Sequence, residues 1–218
     1  MNIHDYSHEH SLLSEYISRL RDKNIQKDRH HFRRNIERVG RILAYEISKT
    51  LNYRDKAVST PLGVKQCAVI DDNVVVCSIL RAGLPLHNAL LDVYDEAENT
   101  FVSAYRRHDG SEEEFTIEVE YLASPSLEGK VLILADPMLA TGSSIITVSE
   151  ALKKLGTPSH IHIMSVIGST QAVETVKEYF AGIPSDLWVA TVDDSLNPAK
   201  YIVPGLGDAG DLAFGEKL

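Results

Sequence analysis

Two cysteines, one tryptophan and three methionines are all that this 218-residue chain has of those types. Cys67 and Cys77 lie in or beside apolar stretches. Two thiols make no disulfide framework, and no CxxC pair offers a metal or redox site. Both are expected as buried thiols of a reducing compartment. No apolar run approaches the ~20 residues that span a bilayer. The opening MNIHDYSHEHSLL has no basic stretch leading into an apolar core, so a cytoplasmic location is expected. No GKS or GKT occurs, which excludes a nucleoside-triphosphatase loop. Positive charge is also short: Lys and Arg number 22 against 31 Asp and Glu, a net charge of −9. Broad attraction to nucleic acid is therefore not expected.

What is present is ordinary for a folded domain. Apolar residues make up 44% and charged residues 24%, which excludes disordered, collagen-like and coiled-coil classes. A chain of this length buries roughly 70% of its unfolded surface. Charge is uneven: residues 19–56 hold twelve of the basic side chains and five acids, a local +7, and the remainder carries −16.

Periodicity predicts helices over 9–23 and 30–51. In the second, Phe32, Ile36, Val39, Leu43 and Ile47 recur at three- and four-residue steps. VVVCSIL (74–80) is a continuous apolar run that suits a strand buried on both faces, VLILA (131–135) is another buried strand, and IHIMSVI (161–167) and LWVATV (187–192) are expected as strands. FVSAY (101–105) is a further strand candidate. Helices are expected over 84–97, over 171–181, and after residue 144, where Ile145, Val148, Leu152 and Leu155 share a face before Gly156. FTIEVEYL alternates strictly and predicts a half-exposed hairpin arm within 108–125. Strands alternating with helices imply an α/β fold with a mainly parallel sheet flanked by helices. One domain is expected, with an N-terminal helical extension over 1–56 and a protruding β-arm over 108–125.

Three segments can carry chemistry. In Asp136-Pro137-Met138-Leu139-Ala140-Thr141-Gly142-Ser143-Ser144 a buried strand gives way to a hydroxyl-rich loop and then a helix. The unpaired N–H groups of such a helix start bind anions, and Thr141, Ser143 and Ser144 add hydroxyl donors. Asp136 is an acid beside a phosphate loop, which suits sugar hydroxyls or a metal; a 5′-phosphorylated ribose satisfies both halves. The plain alternative is a capped helix after a turn. In Ser78-Ile79-Leu80-Arg81-Ala82-Gly83, Arg81 can fork onto a phosphate or diphosphate, or simply sit on the surface. Gly205-Leu206-Gly207-Asp208-Ala209-Gly210 matches GxGxxG, but only eight residues follow, too few for a dinucleotide-binding unit. Its glycines instead predict a tight loop whose backbone faces a ligand. His4, His8 and His10 could bind metal if helical, although exposed histidines near a terminus are usually incidental; His30, His31, His87, His108, His160 and His162 form no ligand pattern by spacing, and no Ser-His-Asp or Cys-His arrangement can be assigned.

SILRAG (78–83), Tyr105-Arg106, DPMLATG (136–142) and YIVPGLGDAGD (201–211) with Phe214-Gly215 together resemble the uracil phosphoribosyltransferase family. Leu20-Arg21-Asp22 and Leu43-Ala44-Tyr45-Glu46 resemble its N-terminal region. The resemblance covers nearly the whole chain. It implies a single type I phosphoribosyltransferase domain over 1–218 that transfers phosphoribose from phosphoribosyl diphosphate (PRPP) to uracil, giving UMP and diphosphate. By that resemblance, residues 136–144 hold the ribose 5-phosphate, Asp136 bonds the ribose hydroxyls, and Arg81 and Arg106 contact the diphosphate. Ile202, Gly207, Asp208 and Ala209 form the uracil pocket, with Asp208 also near PRPP. Asp136, Arg106 and Asp208 are the expected catalytic residues. Mg²⁺ is implied as a cofactor carried by PRPP rather than ligated directly by protein. A homodimer or larger homo-oligomer, built partly by the arm, is implied too, and GTP is raised as an effector. The arm is also a candidate cover against water.

Three departures from the family pattern stand out. Gly142-Ser143-Ser144 replaces Gly-Gly-Ser, which strains Ser143 if that position needs a positive φ. Val119-Glu120-Tyr121-Leu122 lacks the arm's usual lysine. Gly168-Ser169-Thr170-Gln171 replaces an Ala-Pro-Glu-Gly turn. Two competing readings share the fold: a PRPP- or nucleotide-binding paralogue without catalysis, and an RNA-binding pyrimidine regulator using the basic 19–56 segment.

Overall fold

The computed structural model describes residues 1–108 and 115–217, with backbone alone for 104–108 and 115–120. The chain opens with a short strand, β1 (Asn2–Asp5). Helix α1 (Leu12–Arg21) follows, with Ser11 capping it by accepting from the Leu13 N–H, and it buries Leu13, Ile17 and Leu20. Asp28 caps α2 (Arg29–Ser48) through the His31 N–H, and the predicted stripe Phe32, Ile36, Val39, Leu43 and Ile47 is buried. Then come a hairpin of β2 (Tyr53–Thr60) and β3 (Gly63–Ile70), β4 (Val74–Leu80), α3 (Leu84–Leu91), β5 (Glu98–His108), β6 (Phe115–Ala123) and β7 (Val131–Ala135). The second half holds β8 (Met138–Leu139), α4 (Ser143–Leu152), β9 (His160–Ser165), β10 (Ile167–Ser169), α5 (Thr170–Tyr179) and β11 (Ser185–Val189). Short strands β12 (Val192–Asp193), β13 (Ser195–Leu196) and β14 (Ile202–Val203) lead to α6 (Ala209–Phe214).

The main sheet has seven strands in the order β1-β11-β9-β7-β4-β5-β6. All neighbours are parallel except β5 and β6, which run antiparallel from Phe101–Ala123 to His108–Phe115. Because successive side chains point to opposite faces, each central strand feeds two cores. Val74, Val76, Val131, Ile133 and Trp188 pack with α1, α2 and α3. Val75, Cys77, Leu132, Leu134, Ile163 and Leu187 pack with α4 and α5. This two-faced burial is why these segments read as unbroken apolar runs. Burial pushes the Cys77 thiol upward, keeping it protonated. Cys67 is half-buried, and both cysteines are free thiols. No helix among the described residues is long and apolar enough to cross a membrane.

Several expected boundaries move. The first 56 residues contain α1 and α2 but also β1, and Tyr53–Lys56 already belongs to β2. β1 joins the sheet edge by pairing with β11, a partner more than 180 residues away. The helix expected over 84–97 ends at Leu91. Beyond it the Tyr94 hydroxyl donates to Ala44 O at 2.6 Å, turning the chain back onto α2. α4 gives way at Lys153–Leu155 to one 3₁₀ turn, ended by Gly156 at φ +117°. The alternating half of the arm is β6, as its pattern predicts. Its tip, residues 109–114, lies outside the described residues.

Candidate active site

The loops at the carboxyl ends of β4 and β7 meet the C-terminal loop. After Ala135, the Asp136 N–H donates to Met164 O at 3.0 Å, prolonging the β7–β9 ladder. Asp136 Oδ1 accepts from the Met138 N–H at 3.3 Å. Pro137 O accepts from the Val166 and Ile167 N–H groups, which fixes the exit of the loop. Gly142 then takes φ +82°, a left-handed turn that aims the chain into α4. A Cβ there would lie 3.0 Å from Val176 Cγ2, so conformation and space both require glycine.

Asp136, Met138, Leu139, Ala140, Thr141, Gly142, Ser144 and Ile145 line one recess, with a volume of about 270 Å³ including its open mouth. Pro137 and Ser143 support it from outside this lining. Thr141 and Ser143 hydroxyls bond each other at 2.9 Å, and Thr141 Oγ1 accepts from the Ser143 N–H. Ser143 is the first residue of α4, and among the described residues Lys200 is the only non-glycine with positive φ. The substitution at Ser143 therefore carries no backbone strain, because the left-handed position is Gly142. Ser169, one of the departures from the family turn, donates to Ala140 O at 2.6 Å and caps α5. It ties the loop to the neighbouring helix.

Arg81 follows β4 across a cis Leu80–Arg81 peptide. Its guanidinium donates to Asp211 Oδ1 at 2.8 Å and Gly215 O at 3.3 Å, reaching α6. Asp208 caps α6 by accepting from the Asp211 N–H at 3.0 Å, and Lys217 Nζ lies 3.6 Å from its other oxygen. Gly210 is wedged beside both: a Cβ would lie 3.1 Å from Asp208 Oδ1 and 3.5 Å from an Arg81 nitrogen. The Ala209 N–H points at Met138 Sδ, 3.3 Å away, so the C-terminal loop and the 136–144 loop touch. Gly205 at φ +61° and Gly207 at φ +94° form the tight loop between them. A Cβ on Gly205 would sit 2.1 Å from Ile202 O. The Ile202 side chain is buried in the core, so only its backbone is available to a ligand.

Arg81, residues 136–144 and residues 202–211 are thus brought together. Arg106 lies in β5 opposite Ile117, and its side chain falls outside the described residues. Arg21 had no assigned role in the sequence. It forks onto Asp193 at 2.6 and 2.7 Å and donates to Gly205 O at 2.9 Å. Asp193 also accepts from the Gly205 N–H at 2.8 Å. Burial alone would raise the Asp193 carboxyl, but the Arg21 fork and the Gly205 N–H outweigh it and hold it below its ordinary value. Gln26 donates to Leu206 O at 3.1 Å. The N-terminal helices therefore set the shape of the C-terminal loop. The segment 20–22 was a signal for this, but its partners lie some 170–184 residues away.

A mainly parallel sheet carrying a phosphate-type loop after one strand and a basic loop after its neighbour defines a type I phosphoribosyltransferase. A hypoxanthine phosphoribosyltransferase from Staphylococcus aureus shares the fold at TM-score 0.50 and 15% identity, over 75% of this chain and 76% of that one. The AQ2163 protein from Aquifex aeolicus matches at TM-score 0.86 and 28% identity, over 97% and 98% of the two chains. The family model for uracil phosphoribosyltransferase matches residues 7–216. A uracil phosphoribosyltransferase of Porphyromonas gingivalis is 52% identical over 96% of each chain. That of Pyrococcus furiosus is 39% identical over 98% of this chain and 90% of its own. The chain belongs to the uracil phosphoribosyltransferase family.

Proposed function

We propose that this protein, as a single domain over residues 1–218, transfers phosphoribose from PRPP to uracil, forming UMP and diphosphate. The observation that carries the reading is the Ala209–Met138 contact, which sets the tight Gly205–Gly207 loop against the phosphate-type recess. One nucleotide then spans both. The N–H groups around Gly142 and the hydroxyls of Thr141 and Ser144 take the 5′-phosphate at the start of α4. Pro137, Met138, Leu139, Ala140 and Ser143 shape that loop. Asp136 accepts from the ribose hydroxyls and favours positive charge developing on the ribose. Arg81 and Arg106 stabilise the departing diphosphate. The backbone of Ile202, Gly207, Asp208 and Ala209 reads the pyrimidine edge, and Asp208 holds the base side of the site. The hard carboxylate oxygens of Asp136, Asp208 and Asp211 suit the water shell of Mg²⁺. Bound with PRPP, Mg²⁺ supplies charge neutralisation on the leaving group. Positioning supplies much of the rate, since the protein forms no covalent bond.

The basic helices favour a packing role over an RNA surface. Arg19 pairs with Glu15, Arg34 with Glu37, Arg41 with Asp92 and Arg21 with Asp193, while Arg33 donates to Ala213 O. The family resemblance extends the proposal to a cytoplasmic homodimer or larger homo-oligomer with GTP as an effector. The test is diphosphate release from PRPP and Mg²⁺ with uracil, cytosine, guanine or orotate supplied separately. UMP formed from uracil alone is expected, and no UMP at any uracil concentration defeats the proposal.

A further inference from the structure

Three neighbouring strands at the other side of the same sheet hold a second group of chemistry-bearing side chains. His160 and His162 stand two apart on β9, Asp186 and Trp188 on β11, and Asn2 and His4 on β1. Residues two apart in a strand share a face, and the register pairs Asp186 with both His162 and Asn2. His160 pairs with Val131 at the start of β7, whereas Ala135 leads into the active-site loop; His4 and Trp188 stand level with Ala135 but three and two strands away across the sheet. His160 Nε2 is 2.6 Å from Asp186 Oδ2, and His162 Nδ1 is 3.7 Å from the same oxygen. His4 Nε2 is 3.3 Å from Asp186 Oδ1, and Asn2 donates to that oxygen at 2.7 Å. His162 and Asp186 are buried. Among the described residues, His160, His162 and Asp186 are the one trio whose ligating atoms lie within 4.8 Å of one another.

We propose that His160, His162 and Asp186 bind a divalent transition metal of the Zn²⁺ class, with water in the fourth position. Metal–ligand bonds of ~2.0–2.2 Å in a tetrahedron separate ligand atoms by about 3.3 Å. The present separations straddle that value, so small shifts admit an ion. Two imidazoles and one carboxylate suit Zn²⁺, Co²⁺ or Ni²⁺ and not Mg²⁺, which takes oxygen. The Trp188 indole N–H points at His162 Nδ1 from 3.2 Å, which leaves the lone pair on the nitrogen nearest Asp186. Asn2 orients the carboxylate as an outer-shell partner. On loading, His160 Nε2 gives up any proton it carries, to its own Nδ1 if the ring is neutral or to solvent if it is charged. The Trp188 bond to Nδ1 is exchanged for the metal. The ion would staple β11 to β9. The sequence spacing hid this site because its ligands come from two strands separated by a helix.

Trp188 is the only tryptophan, and it also stacks on His4 at 3.7 Å, so its fluorescence reports on this cluster. Tag-free, chelator-stripped protein is titrated with Zn²⁺, Co²⁺ and Mg²⁺, following Trp188 emission, melting temperature and the visible absorption of Co²⁺. Expected are saturable one-to-one Zn²⁺ binding that changes Trp188 emission, a Zn²⁺-dependent rise in melting temperature, and tetrahedral Co²⁺ absorption. Mg²⁺ should produce none of these. The half-exposed His160→Gln variant should melt as the stripped parent does and bind Zn²⁺ ~10-fold or more weakly. Zn²⁺ binding that leaves Trp188 emission unchanged, or that keeps its affinity in His160→Gln, places the metal on surface histidines and overturns the proposal. So does no saturable binding at micromolar metal. UMP formation by stripped His160→Gln is measured alongside, so failure here is separate from failure of the proposed activity.

Discussion

Replacing Arg21 by methionine should damage both stability and base recognition. The wild-type guanidinium makes two charge-assisted bonds to Asp193 and one to Gly205 O. The variant leaves a carboxylate whose side chain is only 7% exposed with the Gly205 N–H as its remaining partner here. Breaking one side of a buried pair costs ~3–5 kcal/mol. Arg21 itself keeps 23% of its side-chain exposure, so water softens the loss, and about 2–3 kcal/mol is the expected figure. For a chain of this size that lowers the melting temperature by roughly 5–10 °C. Asp193 sits below its ordinary 3.8 in the fold, so the stability it contributes is present above that value and is lost as pH falls through the folded value. The gap between wild type and Arg21→Met should therefore be full at pH 7 and shrink as pH falls toward and through the ordinary 3.8, because the stranded carboxylate takes its proton before the paired one does. The double variant Arg21→Met with Asp193→Asn, which removes both charges, should regain part of the loss. Uracil KM should rise several-fold in both variants, because the Gly205 turn is no longer held, while PRPP KM moves less. Denaturant titration at both pH values and steady-state kinetics check this. A loss under ~0.5 kcal/mol at pH 7, with uracil KM unchanged, would refute the reasoning.

Other substitutions separate packing from chemistry. Asparagine caps helices as well as aspartate does, so Asp208→Asn should melt within about a degree or two of wild type yet lose turnover; a variant with full kcat contradicts a role for the charge. Arg81 is 43% exposed in its pair with Asp211, so Arg81→Ala should cost under ~1 kcal/mol while raising PRPP KM at least tenfold. Equal PRPP KM would make it a surface arginine after all. Gly142→Ala places a side chain at φ +82° against Val176, costing about 1–2 kcal/mol and weakening PRPP use, measured by thermal melts and kinetics. Ser143→Gly, by contrast, should bring no stability gain, since Ser143 already has helical backbone.

What could be read from the chain depended on how local each signal is. The two-faced strands β4, β7 and β11 and the α2 stripe are properties of five to twenty consecutive residues, and their pattern placed them. The 136–144 loop was visible for the same reason: strand end, hydroxyl loop and helix start are contiguous. β1 was missed because NIHD has no pattern of its own and becomes a strand only against β11. The β2–β3 hairpin was missed because it is exposed along nearly its whole length, so burial imposes no alternation on it. Arg21, Gln26 and Asp193 could not be assigned because each acts on a loop distant in sequence. The Ser143 question turned on one dihedral, which the sequence leaves open and the fold assigns to Gly142.

The central claim is that one nucleotide spans the α4 start and the C-terminal loop. A crystal structure of the protein with UMP tests it most directly. The account predicts the phosphate seated on the backbone N–H groups around Gly142, with Thr141 and Ser144 hydroxyls on it, the ribose hydroxyls on Asp136, and the pyrimidine edge on the backbone of Gly207–Ala209. A phosphate resting instead on Arg81, or a pyrimidine lying away from residues 202–209, would contradict it.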